Sequence, residues 1–123
     1  MQESYSVFDS TPTSFIIVNE RGDKGYLQFE RRYKELQRGG GGTKNERVPV
    51  KHCTHNMWLL KPASLNQGRG IEIYRSCKDL YETVLRKSNQ HQQWVVQKYI
   101  ERPLLYFDRK FDLRVWVLAT GDL

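Results

Sequence analysis

Apolar positions along the chain change period several times, and each change marks an element. Phe15-Ile16-Ile17-Val18 is the first apolar run and predicts a short strand. It follows a polar opening, residues 1–14, rich in Ser and Thr and broken by Pro12. Beyond Gly22 the period lengthens. Tyr26, Phe29, Tyr33 and Leu36 recur at spacings of three and four, which predicts an amphipathic helix from about Lys24 to Gln37. Glu30, Arg31, Arg32, Lys34 and Glu35 then point outward, and the aromatic stripe belongs to the core. Gly39 to Gly42 end this helix and open a flexible loop over residues 39–47. Met57-Trp58-Leu59-Leu60 reads as a buried strand that delivers Lys61 at its end, where Pro62 is expected to stop ordinary pairing. A turn-forming stretch follows from Ala63 to Arg69, in which Gly68 and Gly70 permit positive φ or close backbone approach. Ile71 to Tyr74 forms the return strand.

Ser76-x-x-Asp79 has the pattern of a capping box, and Leu80, Tyr81, Val84 and Leu85 are expected on one face of a helix ending near Lys87. Trp94 to Ile100 is a strand by its β-branched and aromatic content, closed by Glu101-Arg102-Pro103. After a lead-in from Leu104 to Arg109, Lys110 to Ala119 is predicted to be the last strand. Alternation would set Lys110, Asp112 and Arg114 on one of its faces and Phe111, Leu113, Val115 and Val117 on the other. Three charges on an otherwise buried strand fit either a cross-strand salt-bridge ladder or a polar ligand site over the sheet.

At 123 residues the chain has the length of one domain or of part of one. Its 20 Lys and Arg exceed 14 Asp and Glu, and the net charge of +6 favours an acidic partner. The basic residues are dispersed, and the aromatic residues fall at core positions instead of interleaving with Lys and Arg, which argues against a nucleic-acid binder. Cys53 and Cys77 lie far apart and outside any C-x-x-C, as free thiols in a reducing compartment would. No apolar run approaches the 18 residues of a membrane helix. These features lead to the expectation of a soluble cytoplasmic protein with no membrane partner. His52, Cys53 and His55 lack a second cluster that would complete a zinc site, so structural use is expected and no metal ligand is assigned.

Candidate chemistry concentrates in Asn56 to Tyr74. A strand, a fixed lysine, a glycine loop and a return strand can cover a phosphate chain, the loop offering N–H donors and Lys61 a charge. The same pattern also suits an ordinary β-hairpin with a solvated lysine. Familiar nucleotide motifs do not settle the choice. There is no G-x-x-x-x-G-K-[ST], Gly68-Arg69-Gly70 lacks the third glycine of a dinucleotide fingerprint, and Lys61 precedes its glycine loop, the reverse of a protein kinase.

Three segments taken in order, NMWLLKPASLNQGRGIEI, WVVQKYIERPLL and KFDLRVWVLAT, resemble the tubulin tyrosine ligase-like family of ATP-grasp ligases from about Asn56 to Thr120. The resemblance implies an α+β chain, a partial ATP-grasp fold over residues 15–123, with a mostly antiparallel sheet, flanking helices and the C-terminal half missing. It implies ATP as cofactor: Lys61 at the phosphates, Gln67 and Gly68 in the closing loop, Gln97, Lys98, Tyr99 and Ile100 along the adenine edge. Lys110, Phe111 and Asp112 would be further ATP-site residues, and Arg114 a catalytic cation near the phosphates or the acceptor. The implied activity is ATP-dependent addition of glutamate or glycine to tubulin tails, with tubulin or microtubules and a free amino acid as partners and the cytoskeleton or cilium as location. Mg²⁺ is expected for the complete enzyme, whose metal-binding carboxylates lie downstream of the strand matched here. An alternative is a non-catalytic tubulin- or nucleotide-binding fragment of the same fold.

Overall fold

The computed structural model describes residues 11–18, 22–38, 55–90, 93–119 and 121. The elements in chain order are β1 (Ser14–Val18), α1 (Lys24–Gln37), β2 (Trp58–Pro62), β3 (Glu72–Tyr74), α2 (Cys77–Arg86), β4 (Gln93–Lys98), β5 (Leu105–Tyr106) and β6 (Arg109–Lys110). The first, second, third and fourth strands form one sheet in the order β1-β4-β2-β3, antiparallel at every step, and β5 and β6 make a separate hairpin. The chain is thus α+β with a mostly antiparallel sheet, as the resemblance implied. Of the loop expected at residues 39–47 and the residues His52 and Cys53, all fall outside the described part.

Strand alternation sorts the sheet into two unlike faces. Phe15 and Ile17 of β1, Trp58 and Leu60 of β2, and Trp94 and Val96 of β4 point to one side, where Phe29 of α1 and Leu80 and Val84 of α2 close over them. The Phe29 and Trp58 rings meet edge to face at 5.0 Å, an arrangement that suits the aromatic quadrupole. The opposite side carries Ser14, Ile16, Leu59, Lys61, Ile73, Val95 and Gln97, with no described helix on it.

Local chemistry fixes where the helices begin. Asp23 caps α1: its carboxylate accepts from Gly25 N at 3.2 Å and Tyr26 N at 3.1 Å, and also from Val18 N at 3.1 Å, which ties the helix to the end of β1. Ser76 caps α2 by accepting from Asp79 N at 3.2 Å, as the capping pattern predicts. The buried face of α2 is Leu80, Thr83 and Val84, whereas Leu85 is 44% exposed. Five positions at 100° each turn Leu85 well away from Leu80, so the four apolar residues cannot share one stripe.

Two expectations about strands are corrected. Pro62 does not stop pairing: it lies inside β2 opposite Trp94, and Ala63 N still donates to Gln93 O at 3.0 Å. The position tolerates proline because it is the last of the strand. The long strand from Lys110 to Ala119 does not form. Only Arg109 and Lys110 pair, with Leu105 and Tyr106, and residues 111–119 run unpaired and exposed. No described strand lies beside them to take up their backbone groups, so Lys110, Asp112 and Arg114 do not make a common strand face.

Candidate functional site

The uncovered side of the sheet holds the polar groups that chemistry would need. Lys61 sits opposite Val95 and next to the core residues Leu60 and Pro62, so strand geometry turns its side chain onto the open face. There Lys61 Nζ donates to Gln97 Oε1 at 2.5 Å. Gln97 Nε2 in turn donates to Ser14 Oγ at 3.0 Å, and Ser14 Oγ to Pro12 O at 2.9 Å. A polar relay therefore crosses β2, β4 and β1 and holds the lysine half-buried.

Tyr99 continues the same alternation two residues past Gln97, with its N–H on Met57 O at 3.0 Å. Lys110 Nζ stands 5.1 Å from the centre of its ring and 3.4 Å from its hydroxyl. That distance falls within cation–π range, and the contact joins the β5–β6 hairpin to the sheet. Lys61 is thus supported by the Gln97 amide and Lys110 by the Tyr99 ring, Gln97 and Tyr99 lying two residues apart along the chain at the end of β4.

Other predicted site residues lie elsewhere or act otherwise. Gln67 and Gly68 are exposed in the β2–β3 loop with φ of 55° and 74°, and Gly70 has φ 70°. A Cβ on Gly70 would meet Pro62 Cγ at 3.0 Å, so this glycine seats the loop against β2. Lys98 points to the core side: its side chain is 3% exposed and its ammonium bonds Glu101 Oε1 at 2.6 Å. The Lys98 N–H is taken up by Thr13 O at 2.8 Å, so neither it nor the Tyr99 N–H is open to read a base. Ile100 is half exposed. Phe111, Asp112 and Arg114 follow the hairpin on the exposed segment, and no hydrogen bond or ion pair joins Asp112 or Arg114 to another described residue.

Glu101 is the residue that sequence reasoning missed. Its carboxylate accepts from Met57 N at 2.8 Å and His55 N at 2.6 Å besides Lys98. Burial alone would raise this carboxyl; the Lys98 ammonium and the two backbone donors outweigh it and hold the pKa at about 2. The available signal was the inward period Trp94, Val96, Lys98: a lysine on the core side of a strand needs a carboxylate, and the one three residues on is Glu101. Among the described residues no group of three or more His, Cys, Asp and Glu could hold a metal ion. The described residues therefore do not fit a magnesium site.

An antiparallel sheet covered by two helices on one side, with Lys61 and Gln97 on the other, is an α+β unit consistent with part of an ATP-grasp-like domain. The model of the Tubulin-tyrosine ligase family matches residues 8–123, and the chain belongs to that family. It is 49% identical over 65 residues to tubulin glycylase 3C of Tetrahymena thermophila, covering 53% of this chain and 6% of that protein. It is 34% identical over 121 residues to human tubulin monoglycylase TTLL3, covering 79% of this chain and 15% of that one. Drosophila melanogaster tubulin glycylase 3A is 46% identical over 66 residues, covering 54% and 7% respectively. The chain thus spans a small fraction of the length of these relatives. No helix among the described residues is long and apolar enough to cross a membrane.

Proposed function

We propose that this chain is the nucleotide-grasping part of a tubulin-modifying ligase that adds glycine to tubulin. The observation that carries the reading is the pair of supported cations on the uncovered sheet face, Lys61 on Gln97 and Lys110 on Tyr99, in a family whose similar members are named tubulin glycylases. Those names favour glycine over glutamate as donor. Lys61 and Lys110 would hold the ATP phosphates, with N–H groups of the Gln67–Gly70 loop as further donors. When bound, ATP would supply the phosphoryl group that activates the acceptor carboxylate. A net charge of +6 suits the approach of an acidic tail, which should weaken as salt rises. Cytoskeletal or ciliary location follows from tubulin as acceptor and belongs to the same proposal.

ATP titration of the chain and of Lys61→Ala tests the phosphate role. A charge-assisted phosphate contact is worth about 1.5 to 3 kcal/mol, so the expected loss of affinity is about tenfold or more. Equal affinities in two folded proteins would return Lys61 to a solvated hairpin. The protein expressed from its own coding sequence, given ATP, Mg²⁺, tubulin and labelled glycine, glutamate or tyrosine in parallel, should incorporate glycine; preference for either of the others overturns the donor assignment.

A further inference from the structure

Lys98 and Glu101 form a buried ion pair, 3% and 2% exposed, at the point where the exit of β4 meets the approach to β2. The contacts of the pair with His55, Met57, Trp58 and Tyr99 lie at that junction. Glu101 accepts from His55 N and Met57 N. Lys98 Nζ donates to Met57 O at 2.9 Å and Tyr99 O at 3.4 Å, and lies 5.7 Å from the Trp58 ring centre. Apolar side chains of similar size would commonly serve stability at least as well as a buried pair. What the pair adds is definition. It holds both sides of the β2–β4 junction, and with Met57 O it engages both backbone groups of Tyr99. Tyr99 is also the contact of Lys110, which stands on a hairpin that pairs with no other strand among the described residues.

We propose that Glu101 is a positioning residue: acting through Lys98 and Tyr99, it fixes where Lys110 is held over the open sheet face. Its consequence for nucleotide binding rests on the function proposed above; the positioning itself does not.

The test uses the 123-residue chain with ¹³C-labelled lysine, Glu101→Gln, Lys98→Met and the double variant Lys98→Met/Glu101→Gln, which leaves no unpaired buried charge if the single variants fail to fold. The aromatic ring perturbs the Lys110 ε-methylene shift, and Tyr99→Leu gives the value without it. In the folded variants this shift should move toward the Tyr99→Leu value, and ATP affinity should drop about tenfold, the amount expected for Lys110→Ala, with no further loss when the two changes are combined. A lowered melting temperature with the shift intact would mean that the pair is only structural, and overturns the proposal. Loss of the shift in a chain that binds no ATP even when unsubstituted would uphold the positioning and sink the nucleotide reading instead. In the unsubstituted chain the Met57 and Tyr99 amides should be protected from hydrogen exchange; free-peptide rates there overturn the proposal without any variant.

Discussion

Gly25 shows how a single residue can be fixed by what it lies against. A Cβ built there would stand 1.7 Å from the Ile16 carbonyl oxygen, so the first turn of α1 rests directly on the β1 backbone. Gly25→Ala cannot be relieved by a rotamer change, and the helix must move away from the sheet that buries Phe29. We expect a loss of about 1 to 3 kcal/mol or more, read by urea denaturation. Gly22→Ala is the contrast. It has φ 83° with nothing within 4 Å of its added Cβ, so only the left-handed backbone resists, at about 1 to 2 kcal/mol. Equal losses at the two positions would show that the close approach at Gly25 has little energetic weight. Neither distance is legible in the sequence, which marks Gly22 as a break and sets Gly25 inside the expected helix.

At the scale of elements, periodicity identified α1 and the core of β1, β2 and β4, because each has one buried face whose spacing is visible in the residues. It failed in α2, where Leu85 looked inward and Thr83 did not. The geometry therefore predicts that Leu80→Ala costs about 2 to 5 kcal/mol, whereas Leu85→Ala stays within about 0.5 kcal/mol. Thermal unfolding of the two variants decides it, and a large loss at Leu85 would contradict the helix orientation. The candidate site was readable in part for a similar reason. Lys61 and Gln97 occupy outward positions of strands that the pattern located, but their 2.5 Å contact depends on the β2–β4 register. The inward Lys98 was visible only as one residue of a motif, and its bond to Glu101 emerges from the turn after β4.

That bond also sets how the junction responds to acid. The Glu101 carboxyl lies at about 2 in the folded chain against 4.5 for an unperturbed glutamate. A carboxyl with a depressed folded pKa stabilises the fold fully above its unfolded value, and the contribution disappears as pH falls toward the folded one. Stability should therefore decline between pH 4.5 and 2 by a Glu101 contribution on the order of 3 kcal/mol. Glu72, whose carboxyl is lowered chiefly by the Lys87 ammonium and the Tyr74 hydroxyl, adds to the same slope. Denaturant titrations across this range should show a shallower decline in Lys98→Met/Glu101→Gln. An unchanged slope would mean that Glu101 ionises alike in both states.

For the whole molecule, the lesson lies in residues 111–119. The alternation of Leu113, Val115 and Val117 records a strand-like preference, but burial requires a neighbour, and no described strand pairs with this segment. Leu113, Val115, Trp116, Val117 and Leu118 are 74 to 88% exposed. The core cluster draws on β1, α1, β2, α2 and β4 and includes none of them. Leu113→Ala should accordingly change stability by no more than about 0.5 kcal/mol, while Leu60→Ala, fully buried in β2, should cost about 2 to 5 kcal/mol. The same exposure carries a liability, since Val115-Trp116-Val117-Leu118 is apolar, rich in strand formers and free of charge, the composition that pairs edge to edge between molecules. Val117→Lys adds a charge where Val117 is 86% exposed. It should raise the concentration at which the chain aggregates, measured by light scattering, and leave its melting temperature within about 1 °C. A melting temperature lowered by several degrees would show that the segment is packed against the fold in solution.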